Sequence, residues 1–254
     1  MQAVGTIDGV QLLTDPDDAF ERAYLDARTR EGWVYADAVV GQLPYPAATV
    51  PHAELWRLRS KNFERFAAYL RTLKQQPLNV LEIGCGNGWF AHAIAAQRSD
   101  ATVLGLDVNL HELKQAARVF GASNPSWLYG DLFRGALPAE FFQLIVFNGA
   151  LQYFADLPAL FARVLSLLAP GGEVHILDSP LYPRDGREDA QRRTAAYYRK
   201  LGVEAMTAYY HAHAIESLDP YRPTILYDPR SPLNRLRKKI GAAVNPFPWI
   251  RLRR

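Results

Sequence analysis

The chain has 254 residues, 49% of them apolar and 22% charged, which is a globular balance and enough for one large α/β domain or a domain with a cap. Its one cysteine, Cys85, excludes an internal disulfide and an iron–sulfur cluster. No Cys/His group has zinc-ligand spacing and no apolar run is long enough to cross a membrane, so no metal site is expected. The net charge of +3 hides an asymmetry: residues 230–254 hold eight basic residues and no acid, which leaves 21 basic and 26 acidic residues, a net of −5, in the first 229.

The opening MQAVGTIDGV has no basic stretch ahead of an apolar one, so no secretory leader is expected and the cytoplasm is the expected location. Asp15-Pro16-Asp17-Asp18 predicts a helix start, with Asp15 as N-cap and proline at the first helical position, running to about Arg28. GQLPYPAATVP, 41–51, holds three prolines and predicts an extended connector. From His52 to about Leu73 the apolar residues Leu55, Leu58, Phe63, Phe66, Ala67, Leu70 and Leu73 recur at helical spacing.

After residue 76 the rhythm changes. Strands are predicted at 78–83, 102–106, 126–129, 142–147 and 173–177, with helices over 88–98, 110–120 and 157–168, the last capped by Asp156 with Pro158 in its first turn. Strands alternating with helices imply a parallel sheet covered on both faces.

LEIGCGNGWF, 81–90, places Gly84, Gly86 and Gly88 directly after the first of these strands. In an open α/β sheet that turn lies where ligands bind, and glycine lets a ligand approach the main chain. Dinucleotide-binding turns prefer G-x-G-x-x-G, but Trp89 stands where the third glycine belongs. Glu82 before the loop suits a ligand with a positive group better than a pyrophosphate. Asp107, 19 residues after Gly88 at a strand end, can accept two ribose hydroxyls. Asp131 and Asn148 end the next two strands. Taken singly, each has a plainer account: a tight turn, a solvated strand-end carboxylate, a helix cap, a turn former.

Taken in order, VLEIGCGNG (80–88), VLGLDVN (103–109), YGDLF (129–133), LIVFNGALQYF (144–154) and LLAPGGEVHI (167–176) resemble the five motifs of class I S-adenosylmethionine-dependent methyltransferases of the small-molecule type. The resemblance covers about residues 78–180. It implies a Rossmann-like, doubly wound sheet of seven mostly parallel strands with an antiparallel last strand, preceded by an N-terminal helical cap. It also implies that Glu82 and the loop Gly84, Cys85, Gly86 and Gly88 hold the methionine end of S-adenosylmethionine, Cys85 serving only as a small loop residue. Asp107 would hold the ribose, Val108 one side of the adenine, and Asp131 and Leu132 its edge, while the main chain near Asn148 would touch the amino group. Trp89 and His92 are expected to pack the first helix of the sheet domain.

The acceptor half is less legible. It is expected in residues 1–76, read as a cap facing the acceptor, and in the part of the 77–254 domain after 178. Methyl transfer from a sulfonium is an in-line displacement for which positioning supplies much of the rate. A base is needed only if the acceptor holds its proton, so the methylated atom is not readable. Tyr153 and Asp178 are the expected polar contacts to the acceptor. Gln152, Tyr182, Tyr24, Tyr35 and Tyr45 are further candidates. His211 and His213 read as surface groups and His175 as a packed core residue.

Thr224–Tyr227 and Phe247–Leu252 are expected to be the sixth and the antiparallel seventh strand, with the basic loop 228–246 emerging on the ligand side. Arg235, Arg237, Lys238 and Lys239 would then face the acceptor opening, which suggests an anionic acceptor such as a phosphorylated or lipid-carrier-linked sugar. The expectation is therefore a methyltransferase acting on a small or carrier-linked molecule. The alternatives are an RNA methyltransferase, for which no aromatic-interleaved basic patch speaks, and a non-catalytic binding protein of the same fold.

Overall fold

The computed structural model describes residues 3–74, 76–121 and 124–254. In chain order its elements are β1 (Gly5–Ile7), β2 (Val10–Leu12), α1 (Ala19–Glu31), α2 (Asp37–Val40), α3 (Ala53–Leu70), β3 (Leu78–Ile83), α4 (Trp89–Gln97), β4 (Ala101–Asp107), α5 (Leu110–Phe120), β5 (Ser126–Tyr129), β6 (Phe142–Asn148), α6 (Leu157–Leu167), β7 (Leu168–Leu177), β8 (Leu181–Tyr182), α7 (Arg187–Leu201), β9 (His213–Ala214), β10 (Thr224–Tyr227), α8 (Pro232–Lys239) and β11 (Trp249–Arg253).

The main sheet runs β1-β2-β5-β4-β3-β6-β7-β11-β10. From β2 to β7 neighbouring strands are parallel, and β11 is antiparallel to both β7 and β10. The α/β class, the parallel core and the antiparallel last strand are thus as expected. The strand count is not: among the described residues the main sheet has nine strands where seven were expected, and β8 pairs with β9 apart from it. The two extra strands are a hairpin whose turn, Asp8-Gly9, has both φ values positive (48° and 83°) and which adds β2 alongside β5. Asp-Gly between apolar alternations is a strong hairpin signal, and the sequence reading passed over it.

Three local expectations also shift. Helix α1 begins at Ala19, not at Asp15, because Asp17 turns back and its Oδ1 accepts from the Ala19 N–H at 3.1 Å. It ends at Glu31, with Gly32 in the left-handed region at φ 75°. Residues 41–51 form successive turns rather than an extended connector. Strand β7 starts at Leu168, with Ala169–Gly172 bulging out of the ladder between Leu168 opposite Phe142 and Glu173 opposite Leu144.

Alternation decides the two faces. Val80, Val103, Leu144 and Val146 point to the side where α3, α4 and α5 bring Trp56, Phe66, Phe90, Ile94 and Leu113. Leu81, Ile83, Leu106, Ile145 and Phe147 point to the side where α6 brings Leu160, Phe161 and Val164. Helices α5 and α6 start on side-chain caps: Asn109 accepts from the Glu112 N–H and Asp156 from the Ala159 N–H. A third small cluster of Ala27, Tyr198, Val203 and Met206 ties α1 to the segment after β7.

The chain steps outward from β3 to β4 and β5, then returns to β6 on the other side of β3. The carboxyl ends of β3 and β6 therefore flank the switch point, where a crevice opens in such sheets.

Candidate active site

A cavity of about 920 Å³ opens at this switch point, at the upper end of the size usual for small-ligand sites. Its floor is the loop after β3. Gly84, Gly86 and Gly88 have φ of 72°, 53° and 77°. A Cβ on Gly84 would lie 2.5 Å from Ala150 Cβ, just past β6, and one on Gly86 would lie 2.9 Å from Glu112 Oε2. Gly84, Cys85 and Gly86 line the cavity. Gly88 does not: the Trp127 indole occupies the space its Cβ would need, at 2.4 Å.

Asp107 latches the loop from the end of β4. Its Oδ2 accepts from the Gly86 N–H at 2.7 Å and its Oδ1 from the Asn109 N–H at 2.8 Å. Asp107 also lines the cavity, and a carboxylate oxygen can accept more than one hydrogen bond. Val108, Asp131, Leu132 and Asn148 line the cavity as well. Glu82 sits below the floor, 1% exposed, and its Oε2 has no hydrogen-bond partner among the described residues. Asn148 Oδ1 is similarly unpartnered. Burial holds the Glu82 and Asp107 carboxyls above their usual range, and so it does Glu112.

Glu112 was missed in the sequence. It stands in the first turn of α5, lines the cavity, and is pushed up to about 8 by burial and then by Asp107. A carboxyl raised in the folded state binds more protons there than in the unfolded chain between its ordinary 4.5 and about 8, so it costs stability as pH rises through that window. In urea titrations the Glu112→Gln variant is expected to lose less stability than wild type between pH 6 and pH 9. Equal slopes would count against a cavity-facing, charge-crowded Glu112.

The wall opposite the floor is aromatic. From α1 come Phe20, Tyr24 and Arg28, and from α3 come Trp56 and Arg59. Tyr197 and Tyr198 come from α7, with Tyr209 and Tyr210 after it. Tyr153 lies among them, edge-on to Phe20, Tyr24 and Tyr210 at 5.7, 5.7 and 6.0 Å. Its hydroxyl accepts from Arg28, which also reaches Glu31 at 2.5 Å. Asp178, just beyond β7, is in the left-handed region at φ 47° and accepts at Oδ1 from Asn62 (2.5 Å) and Asn245 (2.8 Å). Strained backbone held by distant donors is a frequent mark of functional positions. Burial raises the Asp178 carboxyl, and the Arg59 guanidinium pulls it part of the way back.

The other expected acceptor residues divide. Gln152, Tyr182, Tyr24 and Tyr35 line the cavity, whereas Tyr45 is exposed and outside it. Neither His211 nor His213 lines it, and His213 is buried in β9 rather than at the surface. His175 is fully buried, accepting at Nδ1 from Trp249 and bonded through Nε2 to Glu173. Trp89 packs edge-on to Trp56 and His92 stacks on Phe120 at 4.2 Å. The basic loop is a correction. It rises on the expected side, and its end, Asn245–Phe247, lines the cavity, but Arg235, Arg237, Lys238 and Lys239 do not. The doublets Tyr197-Tyr198 and Tyr209-Tyr210 were visible signals of the aromatic wall. Nothing local marked Arg28 or Arg59.

The glycine floor, the unpartnered carboxylate below it and the acids at the ends of β4 and β5 fit an adenosine-bearing ligand with positive charge. A family model described as a methyltransferase domain matches residues 55–219. An uncharacterized methyltransferase of Mycobacterium bovis is 31% identical over 98 residues, 39% of this chain and 49% of the relative. A malonyl-[acyl-carrier protein] O-methyltransferase of a Methylovorus species is 30% identical over 116 residues, 43% of this chain and 39% of the relative. The chain thus spans about half the length, or less, of these curated relatives. Among solved structures, the plantazolicin methyltransferase BpumL, in complex with a pentazolic desmethylPZN analogue and S-adenosylhomocysteine, shares the fold at a TM-score of 0.52 and 16% identity, over 92% of this chain and 98% of that one. By its matched domain the chain belongs to the methyltransferase-domain family, and its fold is that of the solved methyltransferase structures.

Proposed function

We propose that this chain binds S-adenosylmethionine on the glycine floor and methylates a small or carrier-linked acceptor held against the aromatic wall. The observation that carries the reading is one continuous cavity with two unlike halves. One half is a bare main chain lined by Asp107 and Glu112, with Glu82 buried beneath it; the other is aromatic and carries the Arg59 guanidinium.

Asp107 would hold the ribose, Val108, Asp131 and Leu132 the adenine, and Glu82 with the Gly84–Gly86 turn the methionine end. The bound cofactor supplies an electrophilic methyl carbon. The chain's own contribution is placement and exclusion of water. Tyr153, fixed by Arg28 and three rings, has one settled orientation. Asp178, with Oδ1 tied to two asparagines, keeps Oδ2 for the acceptor. A buried carboxylate of raised pKa is a better proton acceptor than an exposed one, so an acceptor O–H or N–H could pass its proton to Oδ2.

The anionic character expected of the acceptor finds support in Arg59 instead of the basic loop. Arg59 lies over the rings of Trp33 and Trp56 at 5.1 and 5.0 Å, which holds the guanidinium in place for a carboxylate or phosphate. The name of the malonyl-[acyl-carrier protein] relative, a carrier-linked acid, agrees with this. The division of labour between residues 1–76 and 77–254, and a cytoplasmic location, belong to the same proposal.

Calorimetry with S-adenosylhomocysteine and NAD, paired with turnover on a panel of carboxylate- and phosphate-bearing acceptors, tests it. Binding of the former alone with turnover is expected. Binding without turnover on that panel or on RNA would favour the non-catalytic reading, and RNA turnover would redirect the acceptor. With an acceptor in hand, Asp178→Asn is expected to lower kcat/KM about tenfold or more, the worth of a charged hydrogen bond. Tyr153→Phe should cost only a few-fold.

A further inference from the structure

Helix α8 does not behave as a connector. Only Asn234 of its eight residues is buried, and it is anchored by its Nδ2 donating to the Asp228 carbonyl at 2.7 Å. Leu233 and Leu236 are each 58% exposed, and Ile240, at the helix end, is 75% exposed. These three positions are spaced by three and four, so they form a single stripe along one side. Arg237 and Lys239 border that stripe, Arg235 and Lys238 follow round the helix, and none of the four makes an ion pair or hydrogen bond through its side chain among the described residues. An isolated exposed leucine would need no explanation, but three aligned aliphatic side chains on a helix that also carries four cations do.

We propose that α8 is a docking element for an anionic lipid surface. The partner is chosen by complementarity of both kinds. The apolar stripe fits the acyl boundary, and the long basic side chains can lay their stems along it while their charged ends reach headgroup phosphates. A nucleic acid would satisfy the cations but leave the leucines and isoleucine in water. Residues 1–229 carry a net charge of −5, so such a surface would favour the edge that holds α8 over the body of the chain. The same loop continues into Asn245–Phe247 at the cavity wall, so docking would bring the cavity mouth toward the lipid. The inference does not depend on the proposed acceptor chemistry.

The experiment is flotation of the full chain with vesicles of phosphatidylcholine alone and with 30% phosphatidylglycerol, at low and physiological salt. Binding is expected only to the anionic vesicles and should weaken with salt. Leu233→Ser/Leu236→Ser/Ile240→Ser is expected to lower the partition coefficient at least tenfold. Removing each of the four charges should cost about fivefold near the surface. Affinity for S-adenosylhomocysteine should be unchanged in every variant, which also shows that they fold. No binding to anionic vesicles at low salt would overturn the proposal. So would binding that the triple serine variant leaves intact, or retention on RNA that exceeds retention on the vesicles.

Discussion

Asp107→Asn is expected to lower affinity for S-adenosylhomocysteine about 100-fold or more while leaving the unliganded protein as stable as wild type, or more so. The two effects have one cause. The Asp107 carboxyl is held above its usual range by burial, with Glu112 in the same half of the cavity and Glu82 buried beneath it. In the empty protein its charge is therefore a cost, only partly offset by the Gly86 and Asn109 N–H groups. An amide keeps an oxygen for one of those donors and drops the charge. The ribose, however, would lose two charge-assisted bonds, each worth about 1.5–3 kcal/mol. Calorimetry and urea unfolding on the same preparation separate the two. A variant that binds normally, or one that loses affinity and stability in parallel, would remove Asp107 from the ligand and leave it as a latch for the loop.

Gly88→Ala should be the most damaging one-carbon addition in the cradle. The new Cβ would stand 2.4 Å from Trp127 Cη2 and 2.8 Å from Ala116 Cβ, both in the core, at a φ of 77° that alanine disfavours. The left-handed backbone costs about 1–2 kcal/mol and the overpacking about 1–3 kcal/mol. For a chain of this size, that lowers Tm by roughly 5–15 °C. Gly171→Ala is the control, since it also has positive φ (73°) but nothing within 4 Å of its Cβ, and only the backbone part should appear. Pairing Gly88→Ala with Trp127→Leu should recover part of the loss, because the clash is with the indole. Equal melting of the Gly88 and Gly171 variants would show that Trp127 yields easily.

The packing around Gly88 gives the glycine pattern a second cause. Three glycines in five positions do signal a ligand loop, but a ligand explains only part of the pattern. Trp127 excludes a side chain at Gly88 and, at 2.9 Å, at Gly105 in the neighbouring strand, while Ala150 excludes one at Gly84. Those partners lie on β5 and just past β6, and no spacing around residue 88 announces them. The basic loop failed in the opposite sense. Its position on the ligand side follows from strand direction, and that much held. Its helix packs through Asn234, which donates to the Asp228 carbonyl, and the four cations stand outside the cavity lining.

The strands and helices between residues 78 and 177, the Asp156 cap and the acids at the strand ends were read from the chain as written. Each depends on neighbours two to four residues away, and short-range order is encoded where it acts. The acceptor wall could not be read in this way. Tyr153 meets Arg28 across 125 residues, and Asp178 meets Asn62 across 116 and Asn245 across 67. Those meetings arise because packing on the two sheet faces brings α1, α3 and the loop before β11 over one crevice, and no periodicity along the chain records which distant side chains such packing will bring together.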